Sequence, residues 1–216
     1  TSFYQKCDGV RLLRLYVDSR VAYNNDGIDI EADNVLVDGC TIDTDDDAIC
    51  LKSHDSQPMR NIVIANCNIG TSCNGIKTGT ASLGGFRNVT ISNCVIHQAS
   101  SDKQRKWSER YPGIDQAVTG FQAIALEIND GGLMERVAIS NITINNFLAP
   151  IFVRLGNRGA GAGRPVGRLR DVLIQNVVAS GHSRWCSNIT GIPGHPVENV
   201  HLNNIHLDCL GGGNRE

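Results

Sequence analysis

Aromatic residues make up only 5% of this 216-residue chain, too few for a sandwich core, which draws on aromatic bulk. No run of 18 apolar residues occurs, so the sequence contains no membrane span. Charge of one sign is also missing. The formal net charge is −2, which excludes the broad basic surface that nucleic acid would need. The eight cysteines, Cys7, Cys40, Cys50, Cys67, Cys73, Cys94, Cys186 and Cys209, include no Cys-x-x-Cys pair, so no zinc knuckle is expected. They read as small apolar core residues. No serine or cysteine stands in a recognisable His/Asp setting, the six histidines show no pairing at catalytic spacing, and no glycine loop is built for phosphate.

What the chain has instead is a repeat. The phrase Asn-Val-x-Ile-x-Asn-Cys-x-Ile recurs at Asn34 to Ile42, Asn61 to Ile69 and Asn88 to Ile96, with weaker copies from Arg136, Asp171 and Asn199 and a first copy at Gly9 to Val17. The anchors Val10, Val35, Ile62 and Val89 lie 25, 27 and 27 residues apart. Each copy alternates apolar and polar residues with the period of a strand. Each is too short to bury its apolar face alone, and stacking of similar coils solves that problem. A second strand follows in each coil, around Ile28, Ile49, Ile76, Ile124 and Ile151. The step from anchor to inward isoleucine is 14 residues in three coils, 35 to 49, 62 to 76 and 137 to 151. The reading is an all-β, right-handed parallel β-helix of about seven coils, a single domain over 1–216, the hand following the crossover rule. Ladders of Asn66, Asn93, Asn141, Asn176 and Asn204, and of Cys40, Cys67 and Cys94, should run along the stack. Insertions at 98–120 and 156–168 break the period. The first, long and polar with Trp107 and Tyr111, is expected to wall a binding site.

Two acidic clusters carry the chemistry: Asn24-Asn25-Asp26-Gly27 and Asp45-Asp46-Asp47. With the inward isoleucine as zero, position minus two reads Asp26, Asp47, Asn74, Gln122 and Ala149. Strands in a sheet lie ~4.8 Å apart, so Asp26 and Asp47 should stack with Asp46 beside them. Two such charges repel by roughly 3 kcal/mol at an effective dielectric of ~20, enough to keep one carboxyl protonated as a general acid while others remain basic. Glycoside hydrolysis requires that division. A calcium site or a solvated turn would use carboxylates at the same density.

The segments Asn24-Asn25-Asp26-Gly27-Ile28-Asp29 and Asp46-Asp47-Ala48-Ile49, some twenty residues apart, resemble those of glycoside hydrolase family 28, the polygalacturonase-like pectinases. The resemblance covers Gly9 to Leu207. It implies a parallel β-helix and inverting hydrolysis of galacturonate-containing polymers with no metal or other cofactor. Asp46 would protonate the leaving oxygen, and Asp26 and Asp47 would activate the attacking water. Two motifs depart from the pattern. The family's Gly-His-Gly is Cys73-Asn74-Gly75 here, and its Arg-Ile-Lys is Ala125-Leu126-Glu127. Asn74 then takes the histidine's place at the substrate. Lys52, Lys77 and Arg154 supply positive charge from other coils, and Glu127 serves as an extra acid or sugar ligand.

The expected partner is therefore a polysaccharide or oligosaccharide, with no nucleic acid or membrane, met in the extracellular space or the periplasm. Members of the family are longer, so the chain is expected to lack N-terminal coils. A non-catalytic carbohydrate-binding β-helix and a calcium-dependent polysaccharide lyase remain open alternatives.

Overall fold

The computed structural model describes residues 1–20, 24–100, 109, 120–181 and 187–209. In chain order the strands are β1 (Ser2–Asp8), β2 (Arg11–Leu13), β3 (Tyr16–Ser19), β4 (Ile28–Asp33), β5 (Val35–Asp38), β6 (Thr41–Thr44), β7 (Ile49–Ser53), β8 (Met59–Ala65), β9 (Asn68–Thr71), β10 (Asn74–Ser82), β11 (Gly85–Gln98), β12 (Gly120–Ile128), β13 (Leu133–Asn145), β14 (Phe147–Leu155), β15 (Arg168–Gly181), β16 (Asn188–Thr190) and β17 (Glu198–Cys209). One 3-10 turn, Arg158–Ala162, lies between β14 and β15.

These strands pair in parallel, and the antiparallel bridge found among the described residues, Ile192 with His195, lies outside them. One sheet has seven strands in the order β1-β4-β7-β10-β12-β14-β16, so seven coils stack along it. The other runs β17-β15-β13-β11-β8-β5-β2, with β3, β6 and β9 continuing it past a bend. The chain thus winds as a right-handed parallel β-helix. No helix of the described residues is long and apolar enough to cross a membrane.

The inward isoleucines align as the repeat demands: Ile28 against Ile49, Ile49 against Ile76, Ile76 against Ile124, and Ile124 against Ile151. All five are essentially inaccessible. The anchors form a second row, with Val35, Ile62, Val89, Val137 and Val172 buried and Val200 partly buried at its end. Full burial of each such side chain stabilises the fold by ~1.5–3 kcal/mol, and only the stack makes that burial possible. Cys94 continues in register into Ile142, Val177 and Ile205. The buried thiols of Cys40, Cys67 and Cys94 therefore fill an aliphatic row.

Asparagine turns the corners. Asn66, Asn93, Asn141, Asn176 and Asn204 all hold a left-handed backbone, φ +52° to +57°, a conformation asparagine tolerates better than other side chains. Each side-chain amide donates to the carboxamide or carboxylate one coil back: Asn93 to Asn66 at 3.2 Å, Asn141 to Asn93 at 3.0 Å, Asn176 to Asn141 at 3.1 Å. A second corner repeats the device, with Asn61 donating to Asn34 at 2.8 Å and Asn88 to Asn61 at 2.9 Å.

Of the insertion at 98–120, residues 101–108 and 110–119 lie outside the described residues, as does the expected binding-site wall that they would form. The insertion at 156–168 holds the 3-10 turn. Arg158 reaches from it to Asp130 with two bonds, 2.8 Å from Nε and 2.5 Å from a terminal nitrogen.

Candidate active site

The turns that lead into β4 and β7 carry the acidic clusters, Asn74 opens β10, and the stack aligns the three places. Gly27 N donates to Asp47 O at 2.8 Å and Ala48 N to Asn74 O at 2.8 Å, which puts Asp26, Asp47 and Asn74 at equivalent places in three consecutive coils. Beneath them Thr44 and Thr71 are in register. The Thr71 hydroxyl donates to Asp46 O at 2.6 Å and accepts Cys73 N at 2.8 Å. The Thr44 hydroxyl donates to Asn25 O at 2.5 Å and accepts Asp46 N at 3.3 Å. Each threonine thus fixes its own turn and ties it to the preceding coil. The residues before Ile28 and Ile76 must be small. A Cβ on Gly27 would stand 2.6 Å from Ala48 O, and one on Gly75 2.6 Å from Ala123 O and from Ile96 Cγ2.

The clusters open into one cleft of about 480 Å3, lined by Asn24, Asp26, Asp29, Asp46, Asp47, Lys52, His54, Lys77, Gly79, Thr80, Ala81 and Arg158. Asp26, Asp46 and Asp47 are therefore brought together on one face, each 9% exposed or less. Asp46 Oδ2 accepts Asn24 N at 2.8 Å and its Oδ1 accepts Asp47 N at 3.0 Å. Asp47 Oδ1 accepts Asn74 Nδ2 at 2.6 Å and its Oδ2 accepts Lys77 Nζ at 2.8 Å. Lys52 Nζ sits 2.9 Å from both Asp26 Oδ2 and Asp29 Oδ2.

Electrostatics follows from burial and these pairs. Burial raises the Asp26 carboxyl above its ordinary range; Lys52 works against that shift and Asp29 adds to it. The repulsion expected between Asp26 and Asp47 is not its source. Burial opposes the charge on Lys52, and the acidic groups around it, Asp26 and Asp29 among them, more than offset the penalty. Lys77 is likewise penalised by burial and held charged, chiefly by Asp47.

The substrate-binding candidates separate. Lys52 and Lys77 line the cleft but turn onto protein carboxylates. Asn74 is buried and holds Asp47 in place. Glu127 and Arg154 stand opposite each other in register and lie outside the cleft lining. Glu127 accepts Asn129 Nδ2 at 2.8 Å, and Arg154 is exposed.

Asp29, His54 and Arg158 join the cleft without having been given a site role from the sequence, although Asp29 ends the segment Asn24 to Asp29 that carries the resemblance. Asp29 could have been found, since it occupies the same outward row, one past the inward isoleucine, as Lys77. His54 donates its backbone N–H to Glu31 at 2.5 Å, and its ring faces the same carboxylate at 3.0 Å. Arg158 arrives from the irregular insertion, where no period exists to place it.

Among the described residues, two trios bring possible metal-ligand atoms within 4.8 Å of one another, Asp26-Asp29-Cys50 and Asp46-Asp47-Cys73. Neither fits calcium, which selects oxygen donors alone. Burial keeps the Cys50 thiol protonated, and that thiol donates to Gly79 O at 2.8 Å. Lys52 already supplies the cation between Asp26 and Asp29.

No family model matches the sequence, and no curated protein sequence matches it. Among solved structures, the fold is similar to a hyperthermoactive exopolygalacturonase from Thermotoga maritima. The TM-score is 0.71 at 23% sequence identity, over 90% of this chain and 41% of that one. This chain therefore corresponds to less than half of that protein's length.

Proposed function

We propose that this chain is a glycoside hydrolase acting on a pectin-like, galacturonate-containing or related polysaccharide, with carboxylates as acid and base and inversion at the anomeric carbon. The observation that carries this reading is the convergence of Asp26, Asp46 and Asp47 on one open cleft. In the proposed mechanism Asp46 protonates the departing glycosidic oxygen. Asp26 and Asp47 take a proton from the water that attacks the opposite face of the sugar. Lys77 and Asn74 each donate to Asp47 and fix the orientation of its side chain, which suits a base. A polymeric substrate places this work outside the cytoplasm, in the extracellular space or the periplasm. The likeness of fold to an exopolygalacturonase agrees with the substrate class.

Occupation of both Asp47 oxygens by protein donors favours a second reading, a carbohydrate-binding β-helix without turnover. Incubation with a panel of plant and bacterial polysaccharides separates the two. The hydrolase reading expects new reducing ends whose first-formed anomer, seen by proton NMR, is inverted relative to the linkage cut. Binding to the panel with no reducing ends released would select the second reading.

A further inference from the structure

Among the described residues, the lysines and the arginine that line the cleft are engaged. Lys52 bridges Asp26 and Asp29 at 2.9 Å to each, and Lys77 holds Asp47 at 2.8 Å. Arg158 is forked onto Asp130, which stands outside the lining. Once Arg158 is set against Asp130, four aspartates of the lining face two lysines. Among the described residues, the adjacent strand β12 adds no positive charge: Ala125 is the register partner of Lys77, and Glu127 follows one residue after Leu126, the register partner of Thr78, while Arg154 stands one coil further on, opposite Glu127 and outside the lining.

A carboxylate arriving here would meet other carboxyl groups and, among the described residues of the lining, no unengaged cation. It would have to break a short, partly buried ion pair before any cation could receive it, and water-poor surroundings strengthen that pair. A hydroxyl group faces no such cost, because it donates to carboxylates. Asp29 offers one acceptor of this kind: its Oδ1 is buried and has no hydrogen-bond partner among the described residues.

We infer that the sugar unit seated at the acidic cluster carries no charge, so that the substrate at the point of cleavage is a neutral hexose or a uronic acid whose carboxyl is esterified. The inference rests on the proposed glycosidase cleft and narrows its substrate class. It also reassigns Lys52 and Lys77, which support the carboxylates of the protein and do not receive one from the substrate.

The test is a calorimetric titration of the unaltered chain, at low ionic strength, with three oligosaccharides of one length: trigalacturonate, its full methyl ester and the matching neutral galactotriose. The ester, the neutral sugar or both should bind about tenfold more tightly than the acid, a gap of ~1.4 kcal/mol. The tighter of the two identifies the source of the neutral unit. Equal or tighter binding of the acid overturns the inference, and so does failure of all three to bind. Product analysis on the same samples keeps the two readings apart. Preferred binding of an uncharged sugar that is never cut sustains the inference and overturns the hydrolase. Preferred binding and cleavage of the acid does the reverse.

Discussion

Asp26 shows how one residue trades stability for chemistry. Its carboxyl is raised by burial, so its protonated form is favoured in the fold. The stabilising contribution is complete below the ordinary value of 3.8 and is lost as pH rises through the folded value. At neutral pH the ionised group is therefore a cost. Asp26→Asn should raise the melting temperature above pH 6 while lowering turnover, since Lys52 keeps Asp29 as a partner; a fall in melting temperature would contradict this account. Lys52 opposes the upward shift of Asp26. Lys52→Met should therefore move the acidic limb of the kcat/KM profile to higher pH, because that limb reports the essential base. An unmoved limb would show that Lys52 does not act through Asp26. These relations were only half legible in the sequence. The stacking of Asp26 and Asp47 followed from a period of 21 residues between equivalent turns, but the direction of a lysine side chain does not follow from a period. Lys52 and Lys77 were read as supplying a substrate with the positive charge that the missing Arg-Ile-Lys would have given. Their ammonium groups instead find the carboxylates of adjacent coils.

At the scale of the element, the corner asparagines explain why strands this short hold their register. Asn93 combines φ +56° with a bond to Asn66 and one from Asn141. Asn93→Ala loses those bonds and retains the left-handed backbone, at a cost of about 2 kcal/mol. Asn93→Gly loses the same bonds without the backbone strain and should cost less. Denaturant unfolding of the two variants checks this, and equal losses would remove the backbone from the explanation. The asparagine row and the inward isoleucines were readable because strand and coil impose fixed periods on them. Asp29 shares that periodicity and was passed over. Arg158 does not share it and was out of reach. A different element-scale device joins β13 to its neighbours. Buried Glu135 faces Arg170 and Arg136 at 2.6 Å each, with Arg87 at 3.6 Å. Burial pushes its carboxyl up, and the guanidinium hydrogen bonds more than reverse that, holding it below the ordinary 4.5.

Over the whole molecule, stability is the sum of coil interfaces, and the carboxylates that brace them set its response to acid. Glu135 and Glu31 lie below their ordinary 4.5, and Asp130 below 3.8. For Asp130 the cause is the bond to Arg158. For Glu31 it is the set of donors from His54 and Gln5, acting against burial. Depressed carboxyls contribute stability above their unfolded values and lose it as pH falls through the folded ones. The three together outnumber Asp26, whose sign is opposite. The denaturation midpoint should therefore drop as pH is lowered from 5 toward 3, and Glu135→Gln should make that drop shallower; a midpoint that holds or rises would contradict it. The same stacking that sums these interfaces also gathers carboxylates from successive turns into one cleft, and that convergence is the central claim. Its most direct test is the rate of reducing-end release by Asp46→Asn beside the unaltered chain, on a substrate that the unaltered chain cuts, with folding checked by melting temperature. Loss of a general acid should lower the rate by about 10²–10⁴-fold with the fold intact. An unchanged rate in a folded Asp46→Asn chain would contradict the account.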